Sequence, residues 1–274
     1  MTGRRNWWLS LVGFGLVAAY LFPVYWMVTA AFKTDADIRA IPPQLVPLNP
    51  TVATWTGRIF ADPRVGHYVL NSVIVATGTM TLAVVLAAPA AYALARFRIR
   101  GRAVVLFFCL SSLMFPAIML ATPLFVIFSK LQLTDSYLGL SLADTTLALP
   151  YAIVLLRPAF VRIPRELTEA AMLDGCSEVR AFVRVAVPLA KPGIATVAVL
   201  SFLWGWGDLV FALTLTNSDS KRPVTTGLWG FFGANTSDWS GAMAFSTLAM
   251  LVPLVVFLFS QRFVVAGVTS GSLR

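Results

Sequence analysis

Residues 65–95 read VGHYVLNSVIVATGTMTLAVVLAAPAAYALA, with no Asp, Glu, Lys or Arg. A helix rises 1.5 Å per residue, so roughly 20 apolar residues cross the ~30 Å hydrocarbon core of a bilayer. This run is long enough to do so with residues to spare. Asn6–Phe32, Ala103–Ser129 and Trp239–Gln261 are also long and charge-free, while Ser136–Leu156 and Pro192–Ser218 each carry one acid, Asp144 and Asp208. Lipid offers no partner to an unpaired backbone group, and none of the runs shows the ten-residue alternation of a barrel strand. The expected architecture is all-α: a polytopic membrane protein of six transmembrane helices, with residues 1–274 forming one domain.

Composition agrees. Of 274 residues 58% are hydrophobic and 12% charged, against roughly 25% charged in soluble domains, and the mean hydropathy is +0.80. A soluble monomer so built would expose large apolar patches. The first run follows Arg4 and Arg5 and exceeds the usual secretory h-region of about 7 to 15 residues, so it is read as a retained anchor. Cys109 and Cys176 form no C-x-x-C, and the lone His67 has no obvious ligand or triad partners; no metal site, disulfide framework or catalytic residue is indicated.

The net charge of +9 is a topology signal. Threading the six spans places fourteen of the 21 basic residues, against four acids, on the face that holds both termini; the other face carries seven against six. The positive-inside rule puts the first face in the cytoplasm, and the excess calls for no nucleic acid. On the outer face, residues 33–64 carry Pro42, Pro43, Pro47, Pro50 and Pro63 and read as an extended loop with little regular structure. Pro89, Pro116, Pro123, Pro150 and Pro253 predict kinks within spans.

The longest inner segment is the most specific: residues 161–193 read VRIPRELTEAAMLDGCSEVRAFVRVAVPLAKPG. Pro164 suits the first turn of a helix that Gly175 stops, and Ser177 caps a second helix ended by Pro188. Ala170 and Ala171 strip one face of bulk, so a partner surface can approach the backbone. The alternative is a basic helix pair lying on anionic membrane lipid through Arg162, Arg165, Arg180 and Arg184.

Glu169-Ala170-Ala171, Gly175 after three residues, and Val185-Ala186-Val187-Pro188 after nine more resemble the E-A-A-x3-G-x9-I-x-L-P loop of ABC importer permeases, with Val185 and Val187 as conservative departures. FPVYWMVTAAFK (22–33), residues 71–96 and QRFVVAGVTSGSLR (261–274) resemble the smaller permease subunit of maltose-type carbohydrate importers. The resemblance implies a type I importer permease fold of six helices. It also implies a second homologous permease, an ATPase dimer that binds ATP and Mg, and an extracytoplasmic sugar-binding protein; this chain binds no cofactor itself. Loop 161–193 is then the coupling element, through Glu169, Ala170, Ala171, Gly175, Val185 and Pro188. The tail 262–274 is implied to reach the ATPase through Gly267, Thr269, Ser270 and Gly271, or else is a polar terminus without contacts.

Neither a G-x-x-x-x-G-K-[ST] phosphate cradle nor a G-x-S-x-G elbow occurs, so ATP hydrolysis belongs to another chain and hydrolase chemistry is not indicated. A self-sufficient ion-coupled carrier is the rival class, but such carriers carry repeats and several intramembrane ionisable groups; here there are only Asp144 and Asp208. In LWGWGDLVFALTL, Trp206 and Asp208 match the family's W-N-[DE] with Gly207 in place of Asn. Asp208 either faces the translocation path beside Trp206 or pins neighbouring helices by accepting hydrogen bonds. Trp204, Trp206, Trp229, Phe231, Phe232 and Trp239 are candidates for stacking on sugar rings or for interfacial packing.

Overall fold

The computed structural model describes residues 7–232 and 237–269, with side chains as far as Gln261. In chain order the helices are α1 (Trp7–Ala30), α2 (Asp35–Ile38), α3 (Pro63–Arg96), α4 (Arg102–Ser112), α5 (Ala117–Lys130), α6 (Tyr137–Val161), α7 (Arg165–Leu173), α8 (Glu178–Ala181), α9 (Val187–Leu189), α10 (Lys191–Gly207), α11 (Val210–Leu215), α12 (Val224–Trp229) and α13 (Trp239–Thr269). Four helices are long and apolar enough to span alone: α1, α3, α6 and α13 as far as Gln261. Two bent pairs bring the number of candidate spans to six, α4 with α5 at 99° and the run Glu178–Leu189 with α10 at 80°.

The break between α4 and α5 falls where a kink was expected, at Pro116, but the 99° turn divides the Ala103–Ser129 span into two separate helices. The chain turns at 113–115, and Pro116, with ψ of 129°, starts α5 from an extended conformation. Proline has no N–H to continue the ladder. The helices continue through Pro89, Pro123, Pro150 and Pro253. Conversely, Asp144 interrupts nothing: α6 is continuous and this residue is fully buried in it.

The chain divides into two compact units, one comprising the residues up to Val65 with Leu228–Leu251, the other Gly66–Gly227 with the stretch from Val252 on. In the first, α1 is apolar on every side and buries only Ala30, as suits a helix whose solvent is lipid or another membrane subunit. Residues 33–64 are more regular than their prolines suggest. Thr34 caps α2, its Oγ1 accepting from Asp37 N at 3.2 Å, and a π-helical turn covers Trp55–Ile59. Charges close the segment: Arg58 pairs with Asp238 and, at 3.5 Å, with Asp35, whose Oδ1 accepts from Ser240 N at 3.0 Å. Lys33, 1% exposed, donates to the Gln44 carbonyl and lies 4.6 Å above the Trp26 ring.

In the second unit, α3 presents Ala83, Ala87, Ala88 and Ala91 to Ala148, Ala152 and Leu156 of α6, with Val197 of α10 completing the core. Small side chains let membrane helices approach closely, which is how packing replaces the hydrophobic drive absent in lipid. A second cluster joins Val75, Leu140, Ala143 and Leu147 to Phe128 of α5 and to Phe211, Ala212 and Leu215 of α11.

Candidate functional site

The loop between α6 and α10 folds from local signals. Pro164 stands just before α7 and not within its first turn, with φ of −55° and ψ of 138°. At the other end, Cys176 N donates to Ala171 O and Gly175 N to Met172 O, both at 3.0 Å, the paired bonds of a left-handed helix stop. Gly175 has φ of +85°, a conformation that costs other L-residues about 1–2 kcal/mol. Ser177 then caps α8, its Oγ accepting from Arg180 N at 3.4 Å.

The second helix does not end at Pro188. It passes from α8 through a π-helical stretch, Phe182–Ala186, into α9, where Pro188 takes an early position. Val187 N donates to Phe182 O, and the wider π turn accommodates the proline that an α-turn would exclude, a common use of such bulges. The helical run stops at Ala190, and α10 leaves at 80°.

Anchoring is aromatic. The Phe182 ring lies 4.8 Å from Tyr92 of α3 and 6.0 Å from Phe160 of α6, while Ala181, Ala186 and Ala190 are buried beside it. At the cationic end of α6, Arg157 Nε and Arg102 Nη1 both donate to Leu94 O, and Arg96 Nη2 to Pro164 O, each at 3.4 Å. Two guanidinium groups thus share the Leu94 carbonyl near the C-terminal end of α3, where the helix dipole favours cations. The tip is open: Glu169, Ala170, Gly175 and Pro188 are exposed, Ala171 and Val185 half-buried. Leu173 is 90% and Val179 72% exposed. The loop is a rigidly rooted two-helix projection whose apolar tip is rimmed by charge.

Asp208 does not lie near a helix centre. With φ of −66° and ψ of 129° it terminates α10, and its carboxylate accepts from Phe211 N at 3.3 Å and Ala212 N at 2.9 Å, opening α11. Its carbonyl accepts from Thr225 Oγ1 at 2.6 Å. Trp206 is buried with its ring stacked on Phe202 at 6.0 Å, whereas Trp204 and Trp229 are exposed. Phe231 packs on Phe245 and Phe232 on Trp239. Of the tail residues, α13 carries the backbone through Gly267 to Thr269, and Ser270 and Gly271 lie outside the described residues.

Two further polar groups stand out, Asp144, noted in the sequence as an intramembrane acid without a role, and Asn71, which was not singled out. Asp144, 0% exposed, receives only Thr79 Oγ1, at 3.4 Å on Oδ2; its Oδ1 and the buried Ser201 Oγ have no partner among the described residues. Asn71 ties segment 217–224 to the N-terminal parts of α3 and α6. Its Nδ2 donates to Ser220 O and Arg222 O at 2.9 Å, and Tyr137 Oη donates to its Oδ1 at 2.7 Å. Asp135 joins this clamp by accepting from Asn217 N and Ser218 N at 3.0 Å. Burial pushes its carboxyl upward, but the hydrogen bonds from Ser218 and Asn217 and the nearby Lys221 outweigh this and hold it below the ordinary carboxylate range.

Residues 83–270 match the family of binding-protein-dependent transport system inner membrane components. The chain is 35% identical to the trehalose transport system permease protein of Mycobacterium tuberculosis, over the full length of both. It is 31% identical to the trehalose/maltose transport system permease protein of Thermococcus litoralis, covering 97% of this chain and 96% of that one. Among solved structures, a chain of a bacterial ABC transporter involved in import of the acidic polysaccharide alginate shares the fold, with a TM-score of 0.78 at 22% identity, covering 96% and 98% of the two chains.

Proposed function

The chain belongs to the family of binding-protein-dependent transport system inner membrane components, and from that membership and the shape of its 161–193 loop we propose that it is one of two permease subunits of an ATP-driven sugar importer. The all-α, multi-pass fold is that of a type I ABC importer permease. In the proposed complex a second homologous permease supplies the other half of the path. An extracytoplasmic binding protein delivers the sugar, and two ATPase subunits hold ATP and Mg. Sugar as cargo is supported by relatives named for trehalose and maltose.

The observation that carries the coupling role is the projection itself. Its root is fixed in the core by Phe182, while Leu173 and Val179 offer apolar contact beyond the charged rim. A partner that grips this tip moves α6 and α10 directly, because between Val161 and Lys191 the chain leaves helix only at the short breaks 162–164, 174–177 and 190. Closure of the ATPase dimer on ATP would thereby switch access across the membrane. Glu169, Ala170, Ala171, Gly175, Val185 and Pro188 carry this role, and the tail at Gly267–Gly271 is a second contact on the same partner.

Two measurements test the reading. Co-expressed with its neighbouring permease, ATPase and binding protein, the chain purifies with the ATPase and supports trehalose or maltose uptake that requires both ATP and the binding protein. Uptake by this chain alone, driven by an ion gradient, establishes the rival class. Sidedness is tested with Cys109 and Cys176 removed. Cysteine at exposed Ser220 reacts with an impermeant thiol reagent applied to intact cells, and cysteine at exposed Val179 reacts only after permeabilisation. The reverse pattern inverts the assigned topology.

A further inference from the structure

Where α6 ends, a groove of about 550 Å³ opens between its last turns, the start of α7 and the bend between α9 and α10, a volume within the usual range of small-molecule sites. Its walls are apolar, including Leu155, Ala159, Ile163, Leu167, Leu189 and Val197, and one charged side chain lines it, Arg162. Arg162 is exposed, and among the described residues no acid or carbonyl holds its guanidinium. Arg165 opens α7 and Lys191 opens α10, so the two elements bordering the groove each begin with a cation.

We propose that this groove binds one anionic phospholipid, with an acyl chain against the apolar wall and the phosphate on Arg162. Three observations favour that occupant. First, α6 changes at Arg157 from apolar to basic sequence, which marks the headgroup level of a spanning helix. Second, the lining combines a long apolar wall with a single guanidinium, whose fork matches two phosphate oxygens. Third, none of the six residues assigned to the ATPase contact, Glu169, Ala170, Ala171, Gly175, Val185 and Pro188, lines the groove, which only borders that surface at Leu189. The occupant braces a hinge. The wall includes Ala190, Pro192 and Gly193 of the bend, and a Cβ at Gly193 would lie 2.7 Å from Ala159 Cβ, so α10 already packs as closely on α6 as backbone allows. A lipid here sets how far the loop swings against the spans.

Native mass spectrometry of the full-length chain in mild detergent, titrated with dioleoyl phosphatidylglycerol or dioleoyl phosphatidylcholine, tests the proposal. The chain retains one phosphatidylglycerol at concentrations where phosphatidylcholine is lost. Arg162→Gln weakens that retention about fivefold, the effect of one basic residue at an anionic surface. Leu155→Trp, at a partly exposed wall position, fills the groove and removes retention. Arg100→Gln, in the exposed turn between α3 and α4, changes nothing. Equal retention of the two lipids, or insensitivity to Arg162→Gln, overturns the proposal. So does displacement by inorganic phosphate at matched concentration, which marks a simple anion site. Cross-linking of Leu155→Cys to another subunit in the assembled complex overturns it as well, by showing that protein fills the groove.

Discussion

A Gly175→Val chain inserts in the membrane at wild-type levels and loses ATP-driven uptake by at least about tenfold, the equivalent of the 1–2 kcal/mol that a left-handed backbone costs an L-residue, and more for a β-branched one. The cause is conformational and not steric, since a Cβ at Gly175 meets nothing within 4 Å while φ is +85°. Once the residue leaves that conformation, the bonds from Cys176 and Gly175 to Ala171 and Met172 break, and α7 swings relative to α8. Gly175→Asn is the discriminating companion, because asparagine tolerates the left-handed region; it restores most of the uptake that valine removes. Glu169→Lys reaches the same loss by another route, reversing an exposed charge without touching the turn. Surface abundance, co-purification with the ATPase and uptake are measured together. Normal uptake in both Gly175→Val and Glu169→Lys means that the projection transmits nothing. An asparagine as damaging as valine means that contact at residue 175, not its backbone, is what matters.

Much of this loop was legible because its determinants are local. Gly175 and Ser177 act on hydrogen bonds within five residues of themselves, and such signals are written in adjacent letters. The spans were legible for a different reason: solvent composition leaves its mark on every residue. What escaped was the size of one break, since a kink was expected at Pro116 and the chain there turns by 99°. Ala103–Ser129 is charge-free, and hydropathy does not register that α4, at 11 residues, covers only about 16 Å at 1.5 Å per residue. Pro116 breaks the helix while Pro89 and Pro150 do not, because whether freed carbonyls find partners is decided by neighbouring helices. Pro188 escaped likewise, since its π turn is rooted by Phe182 on Tyr92, ninety positions away. Asn71 was quoted within a matched run but not singled out, and its role rests on Ser220, Arg222 and Tyr137, none of them near it in sequence.

Asp208→Asn transports sugar at close to the wild-type rate, and Asp208→Leu fails to assemble. Both outcomes follow from where the carboxylate points. It accepts from Phe211 N on Oδ1 and from Ala212 N on Oδ2, so it serves α11 as a cap; asparagine keeps one acceptor oxygen, enough for the shorter bond to Ala212 N, and ranks with aspartate as a capping residue. Leucine accepts nothing. Losing a cap costs about 0.5–2 kcal/mol, rising toward about 3 kcal/mol where, as here, the amides it leaves unpaired are buried, enough to release a six-residue helix that has little stability of its own. Phe211 and Leu215 would then leave Phe128 and Leu140, opening the cluster that holds α5. The measurements are yield of the assembled complex, its thermal stability, ATP hydrolysis with loaded binding protein, and uptake. The alternative assigns Asp208, with Trp206, to the translocation path as a partner for sugar hydroxyls. It predicts a different pattern: a leucine variant that assembles, melts normally and hydrolyses ATP when the loaded binding protein arrives, yet moves no sugar. That pattern would remove the capping account, because a group needed only for cargo leaves α11 folded when it is lost. Asn transporting while Leu falls apart leaves the carboxylate as the joint that lets α10 stop at Gly207 and the chain resume as α11 on the core.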